Sequence, residues 1–541
     1  MSGPDPGPPP GWWREAVVYQ IYPRSFCDTS GDGVGDLDGV RRHLDHLAWL
    51  GVDALWLSPI FRSPMADHGY DVSDYCDVDP LFGSLATIDA LIGEAHDRGL
   101  RVLLDWVPNH TSDQHPWFLA SRAAPAGSPE RAWYLWHEGS PDHPPTDWKA
   151  AFPPGPAWTW DPVAGAWYHH GFTPQQPDLD WNTPAVRDAM ADTLRFWLDR
   201  GVDGFRMDVI HMIGKDPARF TPDFDSPIDP ERAHAYLRGI RAVLGEYPGE
   251  RVAVGEVYIL DVDEVATYVG APPGAPGLAP APGVVAADAE LADGDELHLA
   301  FNFLPLYLPW KAEEWRAHLA AVGEAYDRRR AWPTWVLSSH DIPRHRTRLG
   351  SEAAARAAAV LLLGLRGTPF LYAGEELGLE DAVVPPERVV DPAGFRDGCR
   401  APIPWEPGPD HGWASADPWL PWPPDADARN ASTQEGDGAS IVHLYRRLLR
   451  LRRNTPALAR GAQALLPPAD DVVAWERTAG GSRAVVAVNF AEEPRAFAPP
   501  PGGWRVALAS DAATPDSAYE GTLAGHQAVV LLPAWPDVGP A

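Results

Sequence analysis

The run Val202-Asp203-Gly204-Phe205-Arg206-Met207-Asp208-Val209 reads as a buried β-strand that ends on a carboxylate. If the strand alternates, Arg206 and Asp208 point to the same side. A carboxylate at the end of a buried strand is poorly hydrated unless it faces a cleft. Two more apolar runs end the same way, Val252-Ala253-Val254-Gly255 in Glu256 and Trp335-Val336-Leu337-Ser338-Ser339-His340 in Asp341. Three acids on three separate strands predict one concave site.

Short apolar, β-branched or aromatic runs recur along the chain: Val17–Phe26, Val52–Phe61, Arg101–Val107, Val202–Val209, Val252–Val257, Leu297–Phe303, Thr334–Ser338 and Thr368–Tyr372. Amphipathic stretches such as Thr87–Arg98 and Glu313–Arg330 lie between them. Near-continuous apolar strands alternating with helices predict a parallel sheet covered by helices. A doubly wound sheet gives the same alternation. Polar residues at nearly every strand end favour an α/β fold of the (β/α)₈ barrel type, whose site lies at the carboxyl ends of the strands.

Two interruptions divide the chain. The Trp/Pro-rich stretch 112–181 is too long for an ordinary loop and predicts a small inserted domain over the barrel mouth, after the third strand. The Ala/Pro/Gly run 271–292 predicts a flexible surface insertion. Alternating segments at Asp471–Glu476, Ala484–Asn489 and Gln527–Leu532 predict a C-terminal β-sandwich. The expected domains are a barrel in two parts, 1–111 and 182–458, the insertion 112–181, and the sandwich 459–541. On the helix expected at Ile441–Arg453, the face carrying Arg446, Arg447, Arg450, Arg452 and Arg453 reads as solvated.

With 44 basic against 75 acidic residues, the formal charge is −31, which argues against nucleic acid or an anionic membrane as partner. Cys27, Cys76 and Cys399 are an odd number without CxxC spacing, so neither a disulfide framework nor a zinc site is expected. Met1–Gly11 lacks the basic start and apolar core of a signal peptide, and no apolar run approaches a membrane span. The expectation is a reduced, cytoplasmic enzyme, monomer or homodimer, without an organic cofactor.

Carboxylate pairs are the tools of glycoside hydrolysis: one ionised carboxylate attacks the anomeric carbon and a second, protonated, donates to the leaving oxygen. Arg206 is expected to hold Asp208 ionised. The apolar lead-in Val252–Gly255 is expected to raise Glu256 toward a useful acid. Asp105-Trp106-Val107-Pro108-Asn109-His110 ends the third strand, with His110 suited to sugar hydroxyls and Asn109 to capping a turn. Asp28-Thr29-Ser30-Gly31-Asp32-Gly33-Val34-Gly35-Asp36 sets oxygen side chains at alternate positions, as in the first half of an EF-hand loop. Asp28, Ser30, Asp32, Asp36 and the Val34 carbonyl could hold Ca²⁺ or Mg²⁺. A metal-free Gly/Asp turn is the alternative.

Together Asp105–His110, Gln176-Pro177-Asp178-Leu179, Gly204–Val209, Gly255-Glu256 and Ser338–Asp341 resemble the α-amylase family of glycoside hydrolases (family 13), over nearly the whole chain. The resemblance implies that Asp208 is the nucleophile, Glu256 the acid/base and Asp341 the carboxylate that grips sugar hydroxyls. It also implies that Arg206, His110 and His340 line the same glucose subsite. Within the family the chain resembles the α-glucosidases. Asp67-His68-Gly69-Tyr70-Asp71 is similar to the segment that closes their pocket, with Tyr70 as stacking platform and Arg400 closing it through Asp67. That implies exo attack on maltose and short oligosaccharides.

Three positions depart from the pattern. Ser339 replaces the usual Asn before His-Asp, and Trp181 follows Asp180 where Asn-Trp is commoner. Val209 occurs in α-1,6-acting relatives, whereas Gly255-Glu256-Val257-Tyr258 resembles an α-1,4-acting branch. Linkage stays open with a lean to α-1,4. The alternatives are an oligo-1,6-glucosidase, a trehalose-forming or sucrose-isomerising enzyme on the same scaffold, and a non-catalytic binding protein.

Overall fold

The computed structural model describes residues 9–152, 155–221, 226–271, 291, 294–511 and 516–534. The expected surface insertion at 271–292 lies, but for its first residue and Leu291, outside them. All eight apolar runs form strands of one sheet: β1 Val18–Ile21, β2 Ala54–Leu57, β3 Arg101–Trp106, β4 Gly204–Met207, β5 Val252–Gly255, β6 Leu299–Ala300, β7 Thr334–Val336 and β8 Thr368–Tyr372. Neighbours pair in parallel in chain order from β1 to β6. β8 pairs with both β7 and β1. The sheet thus returns on its own first strand, a barrel and not a doubly wound layer.

Among the described residues no backbone ladder joins β6 to β7. Thr334 spans that seam with its side chain. Its hydroxyl donates to Ala300 O (2.8 Å) and accepts from Asn302 N (3.0 Å).

The strands are buried along their lengths because helices cover them. Leu85–Asp97 is representative. Ser84 caps it by accepting from Thr87 N, and Ile88, Leu91, Ile92 and Ala95 form its buried stripe. Close packing at the site needs Gly204, where a Cβ would come within 2.3 Å of Val252 O.

Between β3 and β4 the chain forms the helix Pro116–Ala123 and a three-stranded antiparallel sheet, with Ala166–His169 between Trp136–Glu138 and Trp158–Asp161. Trp148, Trp158 and Trp167 form a small core of its own. Beyond the helix Ile441–Asn454, five antiparallel strands stand in the order Ala462–Leu465, Val472–Ala479, Ser482–Asn489, Ala528–Pro533, Trp504–Ala509. A ribbon of Arg495–Ala496 and Thr522–Leu523 supplies Leu523, which packs with Val472, Val485 and Leu531.

The arginine face of helix Ile441–Asn454 is not uniformly solvated. Arg452 is buried and donates to the carbonyls of Leu363 (2.9 Å), Leu365 (3.1 Å) and Gly367 (2.7 Å). It ties the helix to carbonyls at and just beyond the end of helix Glu352–Gly364, an arginine's long reach satisfying orphan acceptors. All three cysteines are free, and no helix among the described residues is long and apolar enough to cross a membrane.

Candidate active site

The strand ends deliver the predicted acids to one place. Asp208 directly follows β4 and its N–H still bonds Trp106 O of β3 (2.8 Å); Glu256 directly follows β5 and its N–H bonds Met207 O of β4 (2.9 Å). Both residues therefore extend the barrel ladder by one rung, which fixes their backbones. Val209 then turns into the left-handed region at φ 34°, unusual for a β-branched residue. That turn aims its N–H at Glu256 Oε2 (3.0 Å).

Arg206 is the hub. Register pairs it with Asp105 on β3 and Val254 on β5. Its Nη1 lies 2.7 Å from Asp105 Oδ1 and 2.6 Å from Asp208 Oδ1, and its Nη2 lies 2.5 Å from Glu256 Oε2. One guanidinium thus serves three buried carboxyls. Its charge favours the ionised form of Asp208, but that pull is divided among three carboxyls. Burial, joined by the charges of Glu256 and Asp105, outweighs Arg206 and raises Asp208 well above the carboxylate range. Burial likewise pushes Asp105 up to about 6 against the pull of Arg206. The titration of Asp208 and Asp105 is shared and belongs to the pair rather than to either residue.

His340 and Asp341 follow β7. The His340 ring lies parallel to Tyr70 (2°, centroids 5.5 Å apart) and bonds its hydroxyl through Nε2 (2.7 Å), while Nδ1 meets Gln20 Nε2 (2.7 Å). Burial pushes its pKa down to about 3, so the ring is neutral. Burial opposes ionisation of Asp341, but His340, Arg396 and Arg400 together hold its carboxyl below the usual range. Ser339, in place of the usual Asn, accepts from Asp341 N (3.2 Å).

The closing contact differs from expectation in its arginine. Arg400 bonds His340 O (2.7 Å) and Asp341 Oδ1 (3.0 Å) and forms no ion pair with Asp67. Arg396 does: its Nη2 lies 2.8 Å from Asp67 Oδ1 and 2.6 Å from Asp391, and its Nη1 lies 3.2 Å from Asp341. Both arginines sit in the same short run, and sequence cannot say which of two long side chains reaches furthest. Arg396 also covers the ring of Phe152 from the insertion at 4.7 Å.

Asn109 is no simple turn cap. It is fully buried and donates to Asp178 Oδ1 (3.1 Å) and to His110 Nδ1 (3.1 Å). Its Oδ1 accepts from Lys215 Nζ, which also pairs with Asp178 Oδ2 (3.2 Å). His169 Nδ1 completes the cluster at 2.8 Å from Asp178. His110 Nε2 meets Gln176 Nε2 (3.1 Å), and Gln176 donates to Asp67 Oδ2 (3.3 Å). Burial pushes His110 down to about 4. Lys215 carried no signal in the sequence, being a lone lysine seven residues past Asp208.

These groups line a cavity of about 310 Å³ bounded by Asp67, Tyr70, His110, Gln176, Asp208, Glu256, His340, Asp341 and Arg396. His211 and apolar side chains, Phe152, Phe172 and Phe395 among them, line the rest.

The Asp28–Asp36 loop is organised by its own amides. Asp28 accepts from the N–H groups of Ser30 (2.8 Å), Gly31 (2.7 Å) and Gly33 (3.1 Å), and Asp36 from those of Thr29 (2.8 Å) and Gly39 (2.7 Å). Asp32 is exposed and accepts from Val34 N (2.9 Å). Among the described residues no three His, Cys, Asp or Glu side chains are grouped to hold a metal ion.

A family model for the α-amylase catalytic domain matches residues 20–461, and one for a domain of unknown function, DUF3459, matches 459–533. The chain belongs to the α-amylase family. This family member is a glycoside hydrolase, and its relatives bear that out. It is 40% identical over 523 residues to a Rhizobium meliloti (strain 1021) protein named "probable alpha-glucosidase", covering 89% of this chain and 90% of that one. It is 34% identical over 543 residues to the oligo-1,6-glucosidase of Parageobacillus thermoglucosidasius, covering 90% and 92%. Among solved structures, the alpha-glucosyl transfer enzyme XgtA superposes with a TM-score of 0.84 at 37% identity, over 96% of this chain and 99% of that one.

Proposed function

We propose that this family member is a retaining, exo-acting α-glucosidase that releases one glucose from the non-reducing end of short α-linked glucosides. Maltose-like α-1,4 bonds are the preferred substrate, and transfer to other acceptors accompanies hydrolysis. The observation that carries this reading is the closed end of the cavity, where Arg396 links Asp67 to Asp341 beside the carboxylates. A cavity shut there admits a terminal glucose and not the middle of a chain.

Asp208 and Glu256 sit on opposite amino ends of one guanidinium. That sharing suits the separation of about 5–5.5 Å used in double displacement better than the wider spacing of inverting enzymes. In this reading Asp208 Oδ attacks C1 as Glu256 gives its proton to the leaving oxygen. Glu256 then takes a proton from water, whose oxygen displaces the Asp208 ester. Arg206 stabilises the carboxylate that attacks, and Asp341, held ionised, takes the sugar hydroxyls.

The second reading is α-1,6 preference, favoured by Val209, which lines the cavity immediately after Asp208. Initial rates on maltose, isomaltose, trehalose, sucrose and maltotriose, with product analysis, decide between them. Faster glucose release from maltose than from isomaltose supports the first. The reverse order supports the second, and isomerised disaccharides as main products would overturn both.

Two further parts of the reading concern setting. A cytoplasmic location accords with three free cysteines. A structural Ca²⁺ or Mg²⁺ at Asp28, Ser30, Asp32, Val34 and Asp36 would have to draw the exposed Asp32 inward.

A further inference from the structure

The cavity has two chemically distinct ends. Its polar groups, from Asp67 to Arg396, belong to the ion-paired and hydrogen-bonded set around the carboxylates. Apart from His211, whose Nδ1 lies 3.3 Å from Glu256 O, the rest of the lining is apolar or aromatic, with Phe152 and Phe172 from the insertion, Met212 after β4, Tyr258 after β5, Ile342 after β7 and Phe395 after β8. This second set is the open end, since Phe395 is 60% and Tyr258 45% exposed. Of the six, only Tyr258 carries a polar side-chain group that can donate, and its hydroxyl is engaged with that of Tyr307, itself 43% exposed. Phe152 and Phe172 stand with centroids 5.4 Å apart, and Tyr258 rests on Phe303 at 5.3 Å.

A sugar ring seated at this open mouth, such as the second glucose of maltose, keeps its hydroxyls in water and gains few hydrogen bonds from this wall. An apolar ring brings no such groups and is attracted by burial and by aromatic edges and faces. We propose that the subsite receiving the leaving group and the incoming acceptor is built for an apolar ring, so that phenols, and cyclic alcohols with a single hydroxyl, are preferred as glucosyl acceptors over cyclic polyols. This rests on the retaining α-glucosidase reading and names its aglycone class.

The transfer balances without any further reactant. The donor's C1–O bond breaks as a C1–Asp208 ester forms, and Glu256 protonates the departing oxygen. The acceptor's oxygen then attacks C1, its proton passes to Glu256, and the ester bond returns its electron pair to Asp208.

The test uses the full chain with maltose, and separately 4-nitrophenyl α-glucoside, as donor. Hydroquinone and myo-inositol compete as acceptors at equal concentration, and each glucoside is quantified against free glucose. The expected result is aryl glucoside in about tenfold or greater excess over inositol glucoside. In Phe395→Ser and in Tyr258→Ala the ratio of aryl glucoside to free glucose should fall about tenfold, a partition read within one glycosyl-enzyme and independent of total activity. Equal use of both acceptors, or an unmoved ratio in both variants, overturns the proposal while glucose release leaves the glucosidase reading standing. No glucose and no glucoside from either donor would remove that reading and this one together.

Discussion

Lys215 Nζ lies 3.2 Å from Asp178 Oδ2 with both side chains buried, and this ion pair joins the barrel to the inserted domain beside His110. Asp178 is the common acceptor for Lys215, His169 and Asn109, and burial of its charge is offset by the first two, which hold its carboxyl below the usual range.

Breaking a buried pair by removing one partner leaves an uncompensated charge. Lys215→Met should lower stability by about 3–5 kcal/mol, read from denaturant unfolding. It should also lower kcat/KM at temperatures where the protein stays folded, because His110 loses the support of Asn109. Unchanged stability would show the joint to be elsewhere.

Asp208→Ala should lose about a thousandfold or more of the hydrolysis rate, the nucleophile being gone. Its melting temperature should hold or rise, since two carboxyls and not three then share Arg206. A drop in stability equal to the drop in activity would place Asp208 in a structural role.

Arg396→Lys should raise KM and cut kcat/KM by about a hundredfold, the geometry of Asp67 and Asp341 loosening together. Arg400→Lys should leave the Asp67 side intact and act through Asp341 alone. Steady-state kinetics on maltose for the pair distinguishes the two. Equal effects on KM would contradict the division of contacts.

Glu375 supplies a pH prediction outside the site. It is fully buried, accepts from Tyr445 OH (3.0 Å), and burial pushes its pKa up from 4.5 to about 8. The folded chain keeps a proton that the unfolded chain releases, so stability falls as pH rises from about 4.5 to about 8. Glu375→Gln, which cannot ionise, should be more stable than wild type at pH 7 by on the order of 3 kcal/mol at most, and equal to it below pH about 4.5. Melting curves across pH check this.

For the Asp28–Asp36 loop, protein stripped with chelator should melt several degrees below the same protein resupplied with Ca²⁺, a gain of about 2–3 kcal/mol at saturating ion. Asp32→Ala should abolish the difference. Identical melting with and without Ca²⁺ removes the cation from the account.

The barrel was legible because its strands are buried on both faces and so read as unbroken apolar runs, with each acid marking where burial ends. Val252–Gly255 and Glu256 illustrate it: nothing but a cleft can follow such a run. The parts that escaped depend on reach and convergence. Arg396 and Arg400 are four residues apart with equal side chains, and only the folded backbone decides which meets Asp67. Arg452 sits in a row of arginines, yet its place on the helix turns it inward. The titration of Asp208 depends on Asp105 and Glu256, brought beside it from other strands.

Thr334 gives the barrel an unusual vulnerability. Where every other neighbouring pair of barrel strands is sewn by main chain, the seam between β6 and β7 is bridged, among the described residues, by a hydroxyl that both gives and takes a hydrogen bond. β7 also carries His340 and Asp341. A methyl in place of that hydroxyl would keep the shape, yet unlatch the wall on which the ring-gripping carboxylate hangs, so that a change remote from any sugar contact would be felt first as a loosened hold on glucose.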